Sequence, residues 1–358
     1  MRAIDKIAPR LKEGGVVRKI NVDRDQKRVS VGIDYARRSI QAFGGLLYSA
    51  GAVSHSLFTE GSDIAHQGQN SRLDVGDMSF LDAETRIDWK CLGATYDLLE
   101  EVFESDDLPN LVLISCPFVL GLQVYPHVID EHDEAKLDVY LKREMESLKE
   151  KIDAFWAKNR RRCFPYDKAG PKVVSVHSGR LSEPLRALQG QGTMVSPDGV
   201  DPEIANHMRT DWVEIISVGL ERLLLGILTP FHRTAAFERD YARLDERAFP
   251  QEIKESGTIA FHYLSGLRSQ PVHAETLGNS DDWKEHGGAE ALDALAGDLM
   301  ALTFFDHKKA LPLPLWYARE AVQTVKKKGV LEFYKREALR AMQEEQVDRA
   351  WLTGWEGE

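Results

Sequence analysis

The residue best suited to carry chemistry is Asp34, at the end of an apolar segment. Residues 28–34 alternate apolar side chains with small or polar ones, a period of two that is typical of a β-strand. A carboxylate fixed at a strand end can hold a divalent cation rigidly. In two-metal nucleases, such an aspartate joins carboxylates from neighbouring elements to clamp the attacking and leaving oxygens. A solvated aspartate at the start of a turn is the alternative interpretation.

The sequence lacks the short motifs that mark several large enzyme classes. It contains no GxxxxGK[S/T] nucleotide loop, no GxGxxG fingerprint, no HExxH zinc motif, no EF-hand loop and no GxSxG nucleophile elbow. Its three cysteines, Cys91, Cys116 and Cys163, form no CxxC pair, which argues against a zinc knuckle, a redox motif or a disulfide framework. Asp34 therefore remains the main candidate.

The segments around Asp34 predict the elements that position it. Residues 44–53 form an apolar, glycine-punctuated run that we expect to pair antiparallel to the first strand, and the polar residues 60–77 are expected to form a loop. The later elements are predicted as helix 86–104, strand 111–115, helix 134–160, strand 172–177, short helix 182–188, hairpin strands 258–264 and 272–275, and C-terminal helices 288–303 and 315–345. This order predicts an α/β fold, a mixed sheet flanked by helices in one domain.

Charge and hydropathy exclude two classes of protein. The 358 residues contain 46 Lys and Arg against 57 Asp and Glu, a formal net charge of −11, which excludes a basic coat for nucleic acid over the whole fold. No apolar stretch is long enough to span a bilayer, and the charged N-terminus shows no signal peptide. We therefore expect a cytoplasmic protein without membrane contact.

The order of motifs from residue 29 to about residue 345 resembles the NurA family, nucleases with an RNase H-like core that work with the hexameric ATPase HerA. VGID followed by GGLLYSAGAV is similar to the first family motif, an aspartate at a strand end and a return strand. The other matching segments, in chain order, are LPNLVLISCPFVL, KVVSVHSGRLSEPLRAL, LTPFHRTAAF, FHYLSG with HAE, and LPLPLWYARE. Their order along the chain carries the resemblance.

The resemblance implies an RNase H-like α/β fold with helical insertions over residues 27–348, between an N-terminal arm (1–26) and a C-terminal tail (349–358). It implies a homodimer that docks on a HerA-type hexameric ATPase and hydrolyses DNA with Mn²⁺ or Mg²⁺, in DNA end processing for repair or antiviral defence. In the arm, Ile4, Ile7 and Leu11 share one helical face. That face is expected either to contact the ATPase or to pack on the chain's own core.

The implied active site departs from the family pattern. Asp34 matches the first carboxylate, and Asp97 is the expected second metal ligand and catalytic residue, with Asp88, Glu100 and Glu101 as rivals. Ser115 stands where the family has a second strand-end aspartate, and Arg319 stands where it has a histidine. A guanidinium cannot ligate a metal or act as a base, although it can bind a phosphate.

Cationic residues are the expected DNA contacts, namely Arg319, Arg37, Arg233 and Lys326. Arg233 lies in LTPFHRTAAF, Lys326 opens a run of three lysines, and Arg37 has the alternative of satisfying nearby carboxylates. Two functional interpretations stay open. Either Asp34 and Asp97 still hold a metal for phosphodiester hydrolysis, or the chain is a catalytically inactive adaptor that binds and regulates the ATPase and DNA.

Overall fold

The computed structural model describes residues 2–42, 45–79, 81–120, 139–178, 195–201, 203–204, 220–239, 241, 247–266, 269–303, 311–326 and 328–344. The described strands are β1 (Val17–Lys19), β2 (Arg28–Ala42), β3 (Gly45–Glu60), β4 (Asp63–Met78), β5 (Leu111–Ile114), β6 (Lys172–Ser178), β7 (His232–Thr234), β8 (Phe237–Glu238), β9 (Thr258–Leu264) and β10 (Val272–Leu277). The described α-helices are α1 (Arg2–Glu13), α2 (Ala83–Glu104), α3 (Val139–Asn159), α4 (Leu220–Ile227), α5 (Gln251–Ser256), α6 (Ser280–Glu285), α7 (Gly288–Ala301), α8 (Leu313–Val322) and α9 (Lys328–Glu344).

The strands form one mixed sheet of ten strands, which confirms the predicted α/β class. The strand order is β1-β7-β9-β10-β6-β5-β2-β3-β4, and β8 pairs with β9 outside this path. Strands β2, β3 and β4 form an antiparallel meander, whereas β5 runs parallel to β2 and β6 runs parallel to β5. The predicted late hairpin is present as the antiparallel pair β9 and β10. Within the described residues, no helix is long and apolar enough to cross a membrane.

The two faces of the sheet carry separate cores, and this division decides which residues meet. Ile33 of β2 packs with Leu92 and Tyr96 of α2 in the first core. On the opposite face, Leu113 of β5 packs with Leu315 of α8 in the second core. Because successive side chains of a strand point to opposite faces, Asp34 faces α8 while its neighbour Ile33 faces α2.

Several predicted elements differ from the structure. The strands predicted at 28–34 and 44–53 are longer, since β2 continues to Ala42 and β3 to Glu60. The predicted loop 60–77 is strand β4, paired antiparallel along β3. Its first eleven residues are exposed on both sides, so the sequence has no apolar alternation there, and the backbone hydrogen bonds to β3 define the strand. The predicted helix 315–345 is divided into α8, a 3₁₀ turn at Gln323–Lys326 and α9. The predicted short helix 182–188 and the start of helix 134–160 lie outside the described residues.

The N-terminal helix α1 packs on the chain's own core. Ala8 and Leu11 are buried in a cluster with Leu223 and Ile227 of α4. Of the two arrangements expected for the arm, contact with the ATPase or packing on the chain's own core, the contacts of Ala8 and Leu11 correspond to the second. The division of the chain into an arm, a main domain and a tail remains a prediction.

Replacing Gly32 by alanine is expected to lower the free energy of unfolding by about 2–3 kcal/mol, because a β-carbon there would collide with backbone atoms of Pro314 and Leu315 at the start of α8. Backbone cannot move aside as a flexible side chain can. Gly93→Ala is the control, since its added β-carbon would lie 4.0 Å from the nearest atom, Leu148 Cδ1, and alanine favours the helix. Urea unfolding of both variants tests this, and equal stability of Gly32→Ala and wild type would contradict it.

Candidate functional site at Asp34

Asp34 lies in the interior of β2, which continues to Ala42, so the prediction that the strand ends at Asp34 is wrong. Both of its carboxylate oxygens accept hydrogen bonds. Its Oδ1 accepts a hydrogen bond from the Tyr35 amide at 2.9 Å, and its Oδ2 accepts one from Arg319 Nε at 2.7 Å. The Asp34 side chain is only 7% exposed and that of Arg319 is 20% exposed. The ion pair is therefore largely shielded from water, and Arg319 of α8 neutralises the carboxylate expected to hold a metal.

Ser115 lies next to Asp34 on the neighbouring strand. Strand β5 pairs in parallel with β2 up to Ile114 opposite Ile33, and the Ser115 amide donates to the Ile33 carbonyl at 3.1 Å. Continuing that register by one residue places Ser115 beside Asp34 on the α8 face. Its hydroxyl oxygen is buried and has no hydrogen-bond partner among the described residues. The position expected for a second strand-end carboxylate therefore carries a neutral, isolated hydroxyl.

These residues do not fit a divalent metal ion. Mn²⁺ and Mg²⁺ need several oxygen ligands, of which carboxylates are the strongest. Here Asp34 is bound to a guanidinium, and Ser115 adds only a hydroxyl. Across the described parts of the chain, no group of three or more His, Cys, Asp or Glu side chains is arranged to hold a metal.

Asp97 does not lie at the Asp34 site. It is on α2, which packs against the opposite face of the sheet, and it forms an ion pair with Lys151 of α3. There it lines a cleft of about 600 Å³ that also includes Trp89 and Arg143. The expected metal site shared by Asp34 and Asp97 therefore does not form, because the sheet separates the two carboxylates. The rivals Asp88, Glu100 and Glu101 lie on the same helix.

Arg37 satisfies nearby carboxylates, as the alternative interpretation of this residue expected. It forms ion pairs with Glu84 and, at 2.6 Å through Nε, with Asp88. Burial raises the pKa of Asp88 above its ordinary value, although the charge of Arg37 opposes this shift. Since both partners belong to α2, Arg37 ties β2 to that helix on the face away from Asp34.

Arg233 is fully buried and is unsuited to contact DNA. Its Nη1 and Nη2 each donate to Asp198 at 2.8 Å, and its Nε donates to Asp293 at 2.7 Å. Burial alone would lower the pKa of Arg233, but hydrogen bonds and charge from Asp198 and Asp293 raise it. The expected DNA contact is therefore replaced by a structural role, holding three segments of the chain together.

Lys326 is exposed on the same side of the sheet as Asp34. Its backbone carbonyl accepts a hydrogen bond from Arg38 Nη1 at 2.6 Å, which ties the 3₁₀ turn to β2. Its ammonium group is open to solvent, so of the four expected DNA contacts Lys326 is the one whose charge a phosphate reaches most easily. That role remains a prediction.

An aromatic cluster that was not predicted from the sequence lies beside Asp34. His55 of β3, directly opposite Gly32, stacks on Tyr317 of α8 with ring centroids 5.0 Å apart. His55 Nε2 lies 2.8 Å from Nδ1 of His66 on β4. A register shift between Ser56 and Leu57 in the β3–β4 pairing falls next to this contact. Because residues 60–77 were predicted as a loop, no pattern in the sequence indicated that the two histidines meet.

Protonation of His55 is expected to destabilise the fold. Burial, followed by the charge of His66, lowers the pKa of His55 below its ordinary value of 6.5. As the pH falls below 6.5, the unfolded chain takes up a proton that the native chain resists, so this residue's contribution to stability declines. We expect the stability advantage of wild type over His55→Gln to shrink between pH 7 and pH 5, measured by urea unfolding. A constant difference across this range would contradict the assignment.

The comparisons with known proteins concern the fold of this chain. No protein-family model matches the sequence, and no curated protein matches it. The crystal structure of the NurA nuclease from Sulfolobus solfataricus is similar, with a TM-score of 0.54 and 12% identity over 95% of this chain and 94% of that chain. Another crystal structure of NurA has a TM-score of 0.46 and 12% identity, covering 94% of this chain and 92% of that one. A crystal structure of NurA bound to dAMP and manganese has a TM-score of 0.44 and 10% identity, covering 98% and 96%.

The whole-length match to the Sulfolobus solfataricus structure agrees with the order of motifs in the sequence. Its low identity also agrees with the departures found at Ser115 and Arg319, where the expected ligands are missing. This structural similarity concerns the fold. What Asp34 can do chemically follows from the contacts that Asp34 makes in this chain. This chain therefore has a divergent NurA-like fold.

Proposed function

We propose that this chain is a NurA-like subunit of a cytoplasmic DNA-processing complex. It works as a homodimer with a HerA-type hexameric ATPase, in DNA repair or antiviral defence, and it binds DNA without cutting it at Asp34. The partnership rests on the NurA-like fold, which extends over 95% of the chain. Fold alone does not fix chemistry, so the catalytic state has to be argued from the site.

The observation that carries the proposal is the ion pair between Arg319 and Asp34. A guanidinium 2.7 Å from the carboxylate supplies the positive charge that a metal would bring. A permanently protonated arginine cannot activate water, which is the chemical contribution of a metal in nucleases. The site therefore keeps a paired carboxylate and guanidinium but lacks the means of hydrolysis.

A metal-dependent nuclease is the second candidate. It is favoured by the likeness to a crystal structure whose protein is a NurA nuclease. In that case Mn²⁺ or Mg²⁺ would have to displace Arg319 from Asp34 and recruit ligands beyond those described. This candidate and the adaptor make opposite predictions for cleavage.

The test measures cleavage of linear duplex DNA with Mn²⁺ or Mg²⁺, with and without a cognate HerA-type ATPase. The proteins are wild type and Asp34→Asn, which keeps the shape of the side chain and removes its charge. Binding to the ATPase and its rate of ATP hydrolysis are measured in parallel. We expect both proteins to bind and stimulate the ATPase equally, and neither to cut DNA above the metal-only background.

Two results would overturn parts of the proposal separately. Cleavage by wild type that is lost in Asp34→Asn would establish the nuclease and reject the adaptor. Failure of wild type to bind the ATPase would reject the partnership. A control variant, Asp97→Asn, lies on the other face of the sheet and should leave every readout unchanged.

A further inference from the structure

Strand β4 forms an open edge of the sheet. It is the last strand in the sheet order and pairs with β3 on one side. On its other side, no strand lies along it within the described parts of the chain. The strand is 16 residues long, and its first eleven residues, from Asp63 to Leu73, are all exposed. An edge of this length presents a row of backbone N–H and C=O groups that another strand can pair with.

The sequence of β4 lacks two of the usual protections of an edge strand, proline and lysine. Soluble proteins block such edges with proline, with lysine or with inward-pointing charges. Strand β4, DIAHQGQNSRLDVGDM, contains neither proline nor lysine. The five consecutive residues from Gln67 to Ser71 carry no charge. This composition favours pairing with another strand.

The segment around Leu73, at the end of the fully exposed stretch of β4, is complementary to itself. Leu73 is 56% exposed, more than Ile64, the other exposed large apolar side chain of this strand. Arg72 and Asp74 flank it with opposite charges. If two copies pair antiparallel with Leu73 opposite Leu73, each Arg72 faces the other copy's Asp74. Opposite charges directly across a strand pair stabilise the pair, whereas like charges destabilise it.

Contacts within the chain hold these side chains in place but leave them accessible. Arg72 forms an ion pair with Glu101, and its side chain stays 48% exposed. Asp74 lies 3.6 Å from Lys90 Nζ, stays 46% exposed and accepts a hydrogen bond from the Tyr48 hydroxyl at 3.2 Å. Because both residues are positioned in advance, less side-chain freedom is lost when a second strand arrives.

We propose that β4 of one copy pairs antiparallel with β4 of a second copy, about a twofold axis at Leu73, so that the two sheets become continuous. Strand β4 would then be the contact surface of the homodimer in the proposed function. This pairing rests on the proposed function only for the existence of that homodimer. It requires neither the ATPase nor DNA. In this register Ser71 faces Val75, Asn70 faces Gly76 and Gln69 faces Asp77, so no two like charges are opposed.

Charge reversal across the twofold axis tests the register. Arg72→Asp sets two aspartates against each other at each contact, and Asp74→Arg sets two arginines against each other. The double variant Arg72→Asp/Asp74→Arg restores opposite charges, as does an equimolar mixture of the two single variants. Arg161→Asp, at an exposed arginine of the turn after α3, is the matched control. The dimer dissociation constant is measured for the full-length chain alone by sedimentation velocity.

We expect each single variant to weaken the dimer at least tenfold. The double variant should return to within about threefold of wild type, the mixture should form a heterodimer, and the control should behave as wild type. A monomeric wild-type chain would overturn both this inference and the proposed homodimer. A stable dimer whose dissociation constant is the same in wild type and in all the charge variants would overturn this interface alone. Because the chain is tested by itself, neither result bears on DNA cleavage or ATPase binding.

Discussion

Replacement of Arg233 by methionine is expected to lower the free energy of unfolding by about 3–5 kcal/mol, because it removes one partner of a fully buried ion pair. The side chains of Arg233 and Asp198 are both 0% exposed. Without the guanidinium, Asp198 keeps the amide of Ala236, which donates at 2.6 Å, but loses its two strongest donors. Urea unfolding measures the change. Arg233→Lys should recover only part of the loss, since an ammonium cannot reproduce the two parallel hydrogen bonds.

A matched control for Arg233 is Arg37→Met, in which the same chemical change is made at a half-exposed site. The partners of Arg37, Glu84 and Asp88, are 58% and 43% exposed. The expected cost is below about 1 kcal/mol, because water solvates the carboxylates left behind. If Arg37→Met destabilised the protein as much as Arg233→Met, burial would not be the cause and the structural role of Arg233 would be rejected.

The second large effect is expected for Arg319→Ala, with a loss of about 2–3 kcal/mol of stability, since the buried Asp34 carboxylate would be left without its cation. Asp34→Asn should cost less, because an exposed part of Arg319 can turn to water when the carboxylate charge is gone. Arg319 is 20% exposed, against 7% for Asp34.

The double variant Asp34→Asn/Arg319→Ala distinguishes the contribution of the ion pair to stability from the packing contributions of the two side chains. If the ion pair is the cause, the double variant should be more stable than Arg319→Ala alone, because no uncompensated charge remains. A double variant that loses the sum of the two single losses would show that the residues act independently. In that case the pair would not be the feature that keeps a metal from Asp34, and the adaptor proposal would lose its main support.

Local patterns in the sequence predicted many of the elements correctly. The alternation in residues 28–34 and the four-three-four spacing from Leu92 to Phe103 each indicate a single apolar face, and the continuous apolar run at 111–115 indicates a strand buried on both faces. They correspond to β2, α2 and β5. The order of these elements also predicted the mixed sheet, since two antiparallel strands followed by helix–strand units have few compact arrangements.

The strand β4 shows where such patterns fail. Its residues are polar on both sides because both sides are exposed, so the sequence shows the composition of a loop. What makes it a strand is the row of backbone hydrogen bonds to β3, a contact that no local pattern encodes. Because this strand was missed, the meeting of His55 with His66 was missed too.

The sequence by itself determined the class of fold, the location of Asp34 on the first long strand and the presence of Ser115 and Arg319 where the family resemblance implies metal ligands. Tertiary structure decided which of these residues meet. Asp97 and Arg37 lie across the sheet from Asp34, Arg233 lies inside the core, and Arg319 binds the carboxylate itself. The physical reason is that the side of a sheet on which a residue lies, and the depth at which it is buried, depend on how distant segments pack. A neighbouring charge then fixes whether a carboxylate is a ligand or half of an ion pair.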